Sequence, residues 1–389
     1  MTGNPKARVV LVLHSAHDEG GMERAFGQLI RRAHREYDLV VISSELADDL
    51  ARLVDWKRTR VVARPAPLRF FLFYVLASLR LWRVRRAGDL VHTCGAVVAN
   101  KADLASVHFC HAGFRAAGGT PIDDGAPLLR RMNTGLAVAL SLAAEWWSYG
   151  RGRTRTLAAV SQGVADELAQ SYPGTPVVVT SNGVDLDRFR ADRRTRASMR
   201  RSHAVGDDEM VALFVGGDWH RKGLGIALEA LVGTPDTILW IVGRGDVEAF
   251  RARAERLGVA ERVQFIGAQR DVERFHQAAD VLVLPSRYEA FPLVSLEAAA
   301  CGLPLLVTRV SGVTELIGDA DAGLILEPSG EAFAHALRVL AADPERRRRM
   351  GREARRRAEA FPWEASTESV LSLYRELLPQ APVIEVVAA

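Results

Sequence analysis

Short, continuous apolar runs rich in β-branched residues recur along this sequence. In the first half they fall at 9–13, 39–43, 61–63, 90–92, 104–108, 156–160 and 177–180. In the second half they fall at 211–215, 238–242, 263–266, 281–284, 305–307 and 323–326. Most are apolar at every position rather than at alternate ones. A strand solvated on one face alternates; a strand covered by helices on both faces does not. Stretches with helical spacing lie between the runs, so the pattern predicts repeated strand–helix–strand units and parallel sheets. A chain of 389 residues is long enough for two such doubly wound domains.

The boundary falls in "DLDRFRADRRTRASMRRSHAVGDDEM" (185–210), which is polar, charged and poor in apolar periodicity. This gives domains at 1–190 and 191–360, followed by a helix and tail over 361–389. Pro362 can open that helix, and Val370, Leu371, Leu373, Tyr374 and Leu377 form its apolar stripe.

With 48% hydrophobic and 25% charged residues, the chain has the composition of a soluble globular protein. Its 51 basic and 47 acidic residues leave a net charge of only +4, which gives no global reason to expect a nucleic-acid partner. The run "ERRRRMGREARRR" (345–357) reads as a solvated helix face, with a nucleic-acid or anionic-lipid patch as the sharper alternative. Cys94, Cys110 and Cys301 are too few and too scattered for a disulfide framework, which fits a cytoplasmic protein. The run at 9–13 is shorter than a signal-peptide core and reads as a first strand. The nearest approach to a membrane span, "PLRFFLFYVLASLRLWRVRR" (67–86), is interrupted by Arg69 and Arg80. As a helix it places Arg69, Arg80 and Arg83 on one stripe, with most of the remaining circumference apolar. Two readings stay open for it: a helix buried in the core, or a helix resting on an anionic membrane surface.

In open parallel sheets, ligands sit beyond the carboxyl ends of the strands, and three motifs fall at such ends. In "ALFVGGDWHRKGL" (212–224), Gly216 and Gly217 permit close backbone approach, and the adjacent Arg221 and Lys222 suit a diphosphate. A surface turn with solvated cations is the plain alternative. In "SRYEAFPLVSLEAAACGLP" (286–304), Pro292 is placed to open a helix that stops at Gly302. A helix start attracts phosphate. Glu289 lies in the loop before it and Glu297 lies inside the helix, so the pair could grip two hydroxyl-bearing ends of one ligand. Glu297 sits in an apolar context, where a carboxylate without a partner is costly. In "HSAHDEGGMER" (14–24), Gly20 and Gly21 precede a helix. Alone they indicate only a turn.

Together these residues resemble the retaining glycosyltransferases of family 4. The Glu–x7–Glu arrangement of Glu289 and Glu297, followed by "CGLP", looks like that family's signature. "EGGMER", "AVSQGVADEL" (159–168), "SNGVD" (181–185), "GGDWHRKGL" and "VGRGD" (242–246) agree with its other segments. The likeness runs over almost the whole chain, strongest at 212–304 and weakest at 56–150.

The resemblance implies a GT-B fold, two Rossmann-like α/β domains facing across a cleft, with a C-terminal helix crossing back to the first. It implies transfer of a sugar from a UDP-, GDP- or dTDP-sugar to a hydroxyl of a glycan, a lipid-linked acceptor or a small molecule. No metal or other cofactor is implied. Arg221 and Lys222 would neutralise the donor diphosphate, and Glu297 would hold the ribose. Glu289 would contact the transferred sugar, helped by the backbone of Ala290, Phe291, Pro292, Leu293 and Val294. Gly20, Gly21, Gly217 and Gly243 would approach the donor, and the loop ending at Arg270 would read the base. His108 in "LASVHFCH" would lie beside the sugar, with His111 as its rival. A sugar-nucleotide epimerase or hydrolase of the same architecture, and a non-catalytic nucleotide-sugar-binding protein, are the alternatives. Enzymes of this kind often meet lipid-linked acceptors, so peripheral contact with the inner membrane face is a further expectation.

Overall fold

Val9, Val10, Leu11 and Val12 are wholly buried, as are Val281, Leu282 and Leu284, so the unalternating runs are covered on both faces. The computed structural model describes residues 6–116, 118–119, 128–206 and 208–378. In chain order its strands are β1 (Arg8–Val12), β2 (Ser15–Ala16), β3 (Asp38–Ser43), β4 (Glu45–Leu46) and β5 (Asp55–Arg58). Then come β6 (Leu90–Cys94), β7 (Ala102–Val107), β8 (Thr154–Ala159) and β9 (Val177–Val179). The second half holds β10 (Met210–Val215), β11 (Thr237–Val242), β12 (Val263–Gly267), β13 (Val281–Leu284), β14 (Leu305–Thr308) and β15 (Gly323–Leu326). A seven-stranded parallel sheet has the order β5-β3-β1-β6-β7-β8-β9, and a six-stranded parallel sheet has the order β12-β11-β10-β13-β14-β15. The strand order reverses between β1 and β6 in the first sheet and between β10 and β13 in the second. A crevice opens at such a switch point.

One expected strand is corrected. Residues 61–63 are not extended into the sheet; the edge is β5, "DWKR". An edge strand is half solvated, so it needs no continuous apolar run, and its signal in the sequence is correspondingly weak. The Trp56 indole N–H donates to Ser43 Oγ at 2.9 Å and fixes it.

The helix expected over 67–86 forms at Ala66–Val84, and it is neither wholly buried nor wholly bare. Phe73, Ala77 and Leu81 are fully buried against the first sheet. On the opposite face Leu68, Phe71, Val75, Leu79 and Trp82 are exposed, Trp82 to 74%. The core-helix reading therefore holds for one face only. The neighbouring helix Leu128–Glu145 adds exposed Leu128, Leu129, Met132 and Leu136. No helix among the described residues is long and apolar enough to cross a membrane.

The arginine run lies on the helix Pro344–Ala358. Two of its members are not simply solvated. Arg355 Nη1 donates to the carbonyls of Leu186, Phe189 and Ala300, and Arg357 donates to those of Glu315 and Leu316. Arg355 pins the interdomain segment to the second domain, and Arg357 ties two of that domain's helices together.

The last helix, Trp363–Leu377, crosses back onto the first domain, with Pro362 as its N-cap. Val370, Leu371, Leu373 and Tyr374 are buried there with Phe26, Leu39 and Val41. Residues 379–389, expected as a tail, lie outside the described residues. The two passages between the domains run side by side: Val184 bridges to Pro362, and Val184 N–H donates to Phe361 O at 2.9 Å. A side chain at Gly183 would stand 2.7 Å from Trp363 Cα, so glycine is required where these passages cross.

Tyr374 Oη and Ser106 Oγ hold the two nitrogens of buried His92, at 2.6 and 2.9 Å. Burial lowers the His92 pKa from 6.5 to about 3, and burial likewise lowers His14 and His108 to about 4. The folded state refuses protons that the unfolded chain accepts near pH 6.5. Stability is therefore full above that pH and is lost as pH falls toward the folded values. At pH 5 each group withholds on the order of 2 kcal/mol. The urea midpoint is expected to drop clearly between pH 7 and pH 5; an unchanged midpoint would rule this out.

Candidate functional site

The reversal between β10 and β13 sets two loops side by side. After β10 the chain turns through Gly216 and Gly217 to Arg221 and Lys222, then enters the helix Leu224–Val232. After β13 it runs through Ser286, Tyr288 and Glu289 to the helix Leu293–Ala300. At the ends of β10 and β11 the backbones nearly touch. Gly243 has φ +134°, and a Cβ there would lie 2.1 Å from Gly216 O. A Cβ on Gly216 would strike Lys222 Cε at 2.5 Å. Only glycine allows this floor. Gly216 shapes it as much as the expected Gly217, which lies beside Arg244 O.

The charges on these loops are paired with one another. Lys222 Nζ donates to Glu289 Oε1 at 2.7 Å, Ser286 Oγ donates to the same oxygen at 3.0 Å, and Arg221 Nη1 lies 3.2 Å from it. Arg221 also donates to Asp218 Oδ2 and to Tyr288 O. Burial pushes the Glu289 carboxyl up, but Lys222, Arg221 and the hydrogen bonds outweigh it and hold its pKa below the usual value. Burial opposes charge on Arg221 as well, yet Glu289 and Asp218 keep its pKa raised. Glu289 is thus a carboxylate and its two neighbours are cations.

Pro292 is the N-cap of the Leu293–Ala300 helix rather than its first residue, and it offers no N–H. The free N–H groups at this start belong to the residues that follow it, beginning with Leu293 and Val294. Ala290 and Phe291 are buried in the loop before it. Glu297 is only 3% exposed, on a helix whose residues Leu293 and Ser295–Ala300 are all buried. Its Oε1 accepts a hydrogen bond from Arg24 Nη1, contributed by the facing domain.

Arg24 lies in the helix Gly21–Ala33, capped by Gly20 at φ +85°. A Cβ on Gly21 would stand 3.6 Å from Leu293, so the glycine loop abuts the start of the Glu297 helix. A second tie joins the walls: Tyr288 Oη donates to Glu167 Oε2 at 2.8 Å, and its ring packs on Phe109 and Phe114 at 4.9 Å. Neither Arg24 nor Tyr288–Glu167 was evident from the sequence. The signal for Arg24 was its position three residues after the double glycine.

His108 follows β7, half-buried, with its ring 6.0 Å from Phe26. Burial holds it neutral, as above, and among the described residues it makes no hydrogen bond. His111 is tied instead to the buried Glu145, through Nδ1 at 2.8 Å and its backbone N–H at 2.9 Å. Arg270 is exposed beyond β12, and its carbonyl accepts from Arg188 at 2.8 Å. Asp185 caps the linker turn, accepting from the N–H groups of Asp187 and Arg188. Among the described residues no group of three His, Cys, Asp or Glu is gathered as a metal site.

Two cavities lie elsewhere, beside the helix Ala66–Val84. One, of about 530 Å³, is lined by Arg58, Thr59, Arg60, Leu76, Leu79, Arg80 and Arg83. The other, of about 790 Å³, reaches from Ala63 to Ala137 of the neighbouring helix.

Comparison with known proteins assigns each half. The profile of Glycosyltransferase Family 4 matches residues 19–188, and that of Glycosyl transferases group 1 matches residues 195–357. A D-inositol 3-phosphate glycosyltransferase of Segniliparus rotundus is 34% identical over 236 residues, 57% of this chain and 52% of that protein. A GDP-mannose-dependent alpha-(1-6)-phosphatidylinositol dimannoside mannosyltransferase of Mycobacterium tuberculosis is 35% identical over 217 residues, 54% of this chain and 55% of that protein. The chain spans about half the length of the curated relatives it matches. The crystal structure of WaaG, a glycosyltransferase involved in lipopolysaccharide biosynthesis, superposes with TM-score 0.79 at 24% identity, covering 94% of this chain and 99% of WaaG. Anabaena HepE in complex with UDP and glucose superposes with TM-score 0.74 at 16% identity, covering 94% and 99%. These structures share the GT-B fold.

Proposed function

The chain carries, one in each half, the domains of the family 4 and group 1 glycosyltransferases, and from that premise we propose that it moves a sugar from a nucleotide-diphosphate sugar to a hydroxyl acceptor with retention of configuration. The observation that carries this reading is the meeting of Arg221 and Lys222 with Glu289 at the switch point, beside the start of the helix bearing Glu297. Two cations beside a helix N-terminus suit a leaving diphosphate without a metal. Domain 191–360 holds the donor, and domain 1–190 presents the acceptor. Glu297 grips the ribose diol, Glu289 meets the sugar, and neutral His108 lines the acceptor side. The base faces the loop ending at Arg270.

Glu289 is engaged by Lys222, Arg221 and Ser286 rather than free to attack, so leaving phosphate and incoming hydroxyl use one face of the sugar. The test is a panel of UDP-, GDP- and dTDP-sugars with and without acceptor extract, with the product anomer read by NMR. Transfer with the donor's anomeric configuration is expected. An inverted product, or turnover that needs no acceptor, would overturn the reading.

The relatives include a D-inositol 3-phosphate glycosyltransferase and a phosphatidylinositol dimannoside mannosyltransferase, and these support a phosphorylated polyol or lipid-linked acceptor here. The bare apolar face of Ala66–Val84 supports peripheral contact with the inner membrane surface. It combines Phe71, Leu79 and Trp82 with the arginine-lined cavity at its flank. The protein is expected to sediment with anionic vesicles at low salt and to be released as salt rises. Changing Arg60, Arg80 and Arg83 to glutamine should free it without unfolding it. Absence of binding by the unmodified protein would leave a soluble acceptor.

A further inference from the structure

Arg221, Lys222, Glu289 and Glu297 each have a charged partner from within the chain. Arg24 supplies one that crosses between the domains. Its side chain is 16% exposed and that of Glu297 only 4%, so this is a largely dry ion pair. Its Nε has one further contact, to Asp18 O at a long 3.3 Å. Through these contacts the guanidinium straps the glycine loop to the carboxylate on the opposite helix. Gly21 and Leu293, which stand against each other, mark where that strap closes the cleft.

We propose that Arg24 is a latch displaced by the donor. In the nucleotide-free protein it occupies the carboxylate that the ribose takes, a statement that rests on Glu297 being the ribose-gripping residue. A buried ion pair cannot simply be broken, because each charge would be left without a partner. A nucleoside diphosphate resolves both ends at once. Its ribose hydroxyls donate to Glu297, and its phosphates accept from the released Arg24. Arg24, Arg221 and Lys222 are matched by Glu297, Glu289 and Asp218, so the diphosphate is met by cations already gathered at the site and drawn from these pairs. The same exchange frees the glycine loop to move from Leu293, so donor entry and opening of the cleft become one event.

The latch also predicts that removing Arg24 helps the nucleoside part of the donor, which competes with it for Glu297. If the latch is closed in about nine of ten molecules, its loss tightens apparent binding about tenfold. The experiment is calorimetric titration of UDP and GDP, and of uridine and guanosine, into the unmodified protein and the Arg24→Gln, Glu297→Gln and double variants. Small-angle scattering of the nucleotide-free forms accompanies it. Arg24→Gln is expected to tighten the nucleoside that binds and to enlarge the radius of gyration. In the Glu297→Gln background it should change nucleoside binding little. Unchanged or weaker nucleoside binding by Arg24→Gln overturns the latch. Loss of diphosphate affinity with nucleoside binding unchanged would make Arg24 a phosphate ligand and no latch, also overturning it. Failure of the Glu297 assignment reads out separately, as normal nucleoside binding by Glu297→Gln.

Discussion

Replacing Lys222 with alanine is expected to lower turnover about 10²–10³-fold at saturating donor, the usual effect of removing one preorganised donor from a developing charge. The expectation rests on position. Lys222 is buried to 9% exposure, its ammonium 2.7 Å from Glu289, and the Gly216 backbone closes over its stem. It cannot drift into solvent as a surface lysine would. On the proposed reaction, the leaving diphosphate draws this ammonium away from Glu289 as charge accumulates. The variant should fold, because Arg221 and Ser286 still hold Glu289. Part of what keeps the Glu289 pKa low disappears with Lys222, so the acid limb of the pH–rate profile should move to higher pH. Arg221→Ala is a less clean change, since Arg221 also ties down Tyr288 O and Asp218. Near-normal turnover in Lys222→Ala, measured with the circular dichroism melt intact, would remove Lys222 from the chemistry.

Tyr374→Ala is expected to cost about 3–5 kcal/mol of stability, as for other fully buried aromatics. Tyr374 has no exposed surface, packs edge-on to Tyr37 at 5.4 Å, and donates to or accepts from His92 at 2.6 Å. Its loss opens a cavity and leaves a buried imidazole nitrogen without a partner. Tyr374→Phe removes only the hydroxyl and should cost about 1–3 kcal/mol. Urea unfolding of the two variants separates packing from hydrogen bonding. Equal losses would show that the hydroxyl is all that matters, and no loss in either would show that the last helix is dispensable.

Parallel sheets were legible because their strands need apolar residues at every position, and the sequence writes that requirement out plainly. Where a strand escapes the requirement, as "DWKR" does at the sheet edge, the reading slipped to 61–63. The Ala66–Val84 helix was recognisable as a helix, but which side was covered depended on partners far away in sequence. Leu128–Glu145 lies more than forty residues on. Within the cleft, Glu289, Arg221 and Lys222 could be found because strand ends and glycines bracket them. Their mutual pairing could not, since Lys222 and Glu289 are 67 positions apart. Arg24 was hidden for the same reason more severely, its partner lying 273 positions away.

The return of the last helix has a consequence for how the molecule comes into being. Topologically the second domain is a guest, inserted into the first between Val184 and Pro362. The host lacks the cover over His92 and Leu39 until Tyr374 and Leu371 arrive. A chain made from its N-terminus can close the guest's sheet as soon as β15 and the helices after it have emerged. The host must wait until the helix Trp363–Leu377 has followed the guest, its apolar cluster incompletely sheathed in the meantime. The domain translated first is thus the one completed last, and severing the chain at residue 190 would strand it in that unfinished condition.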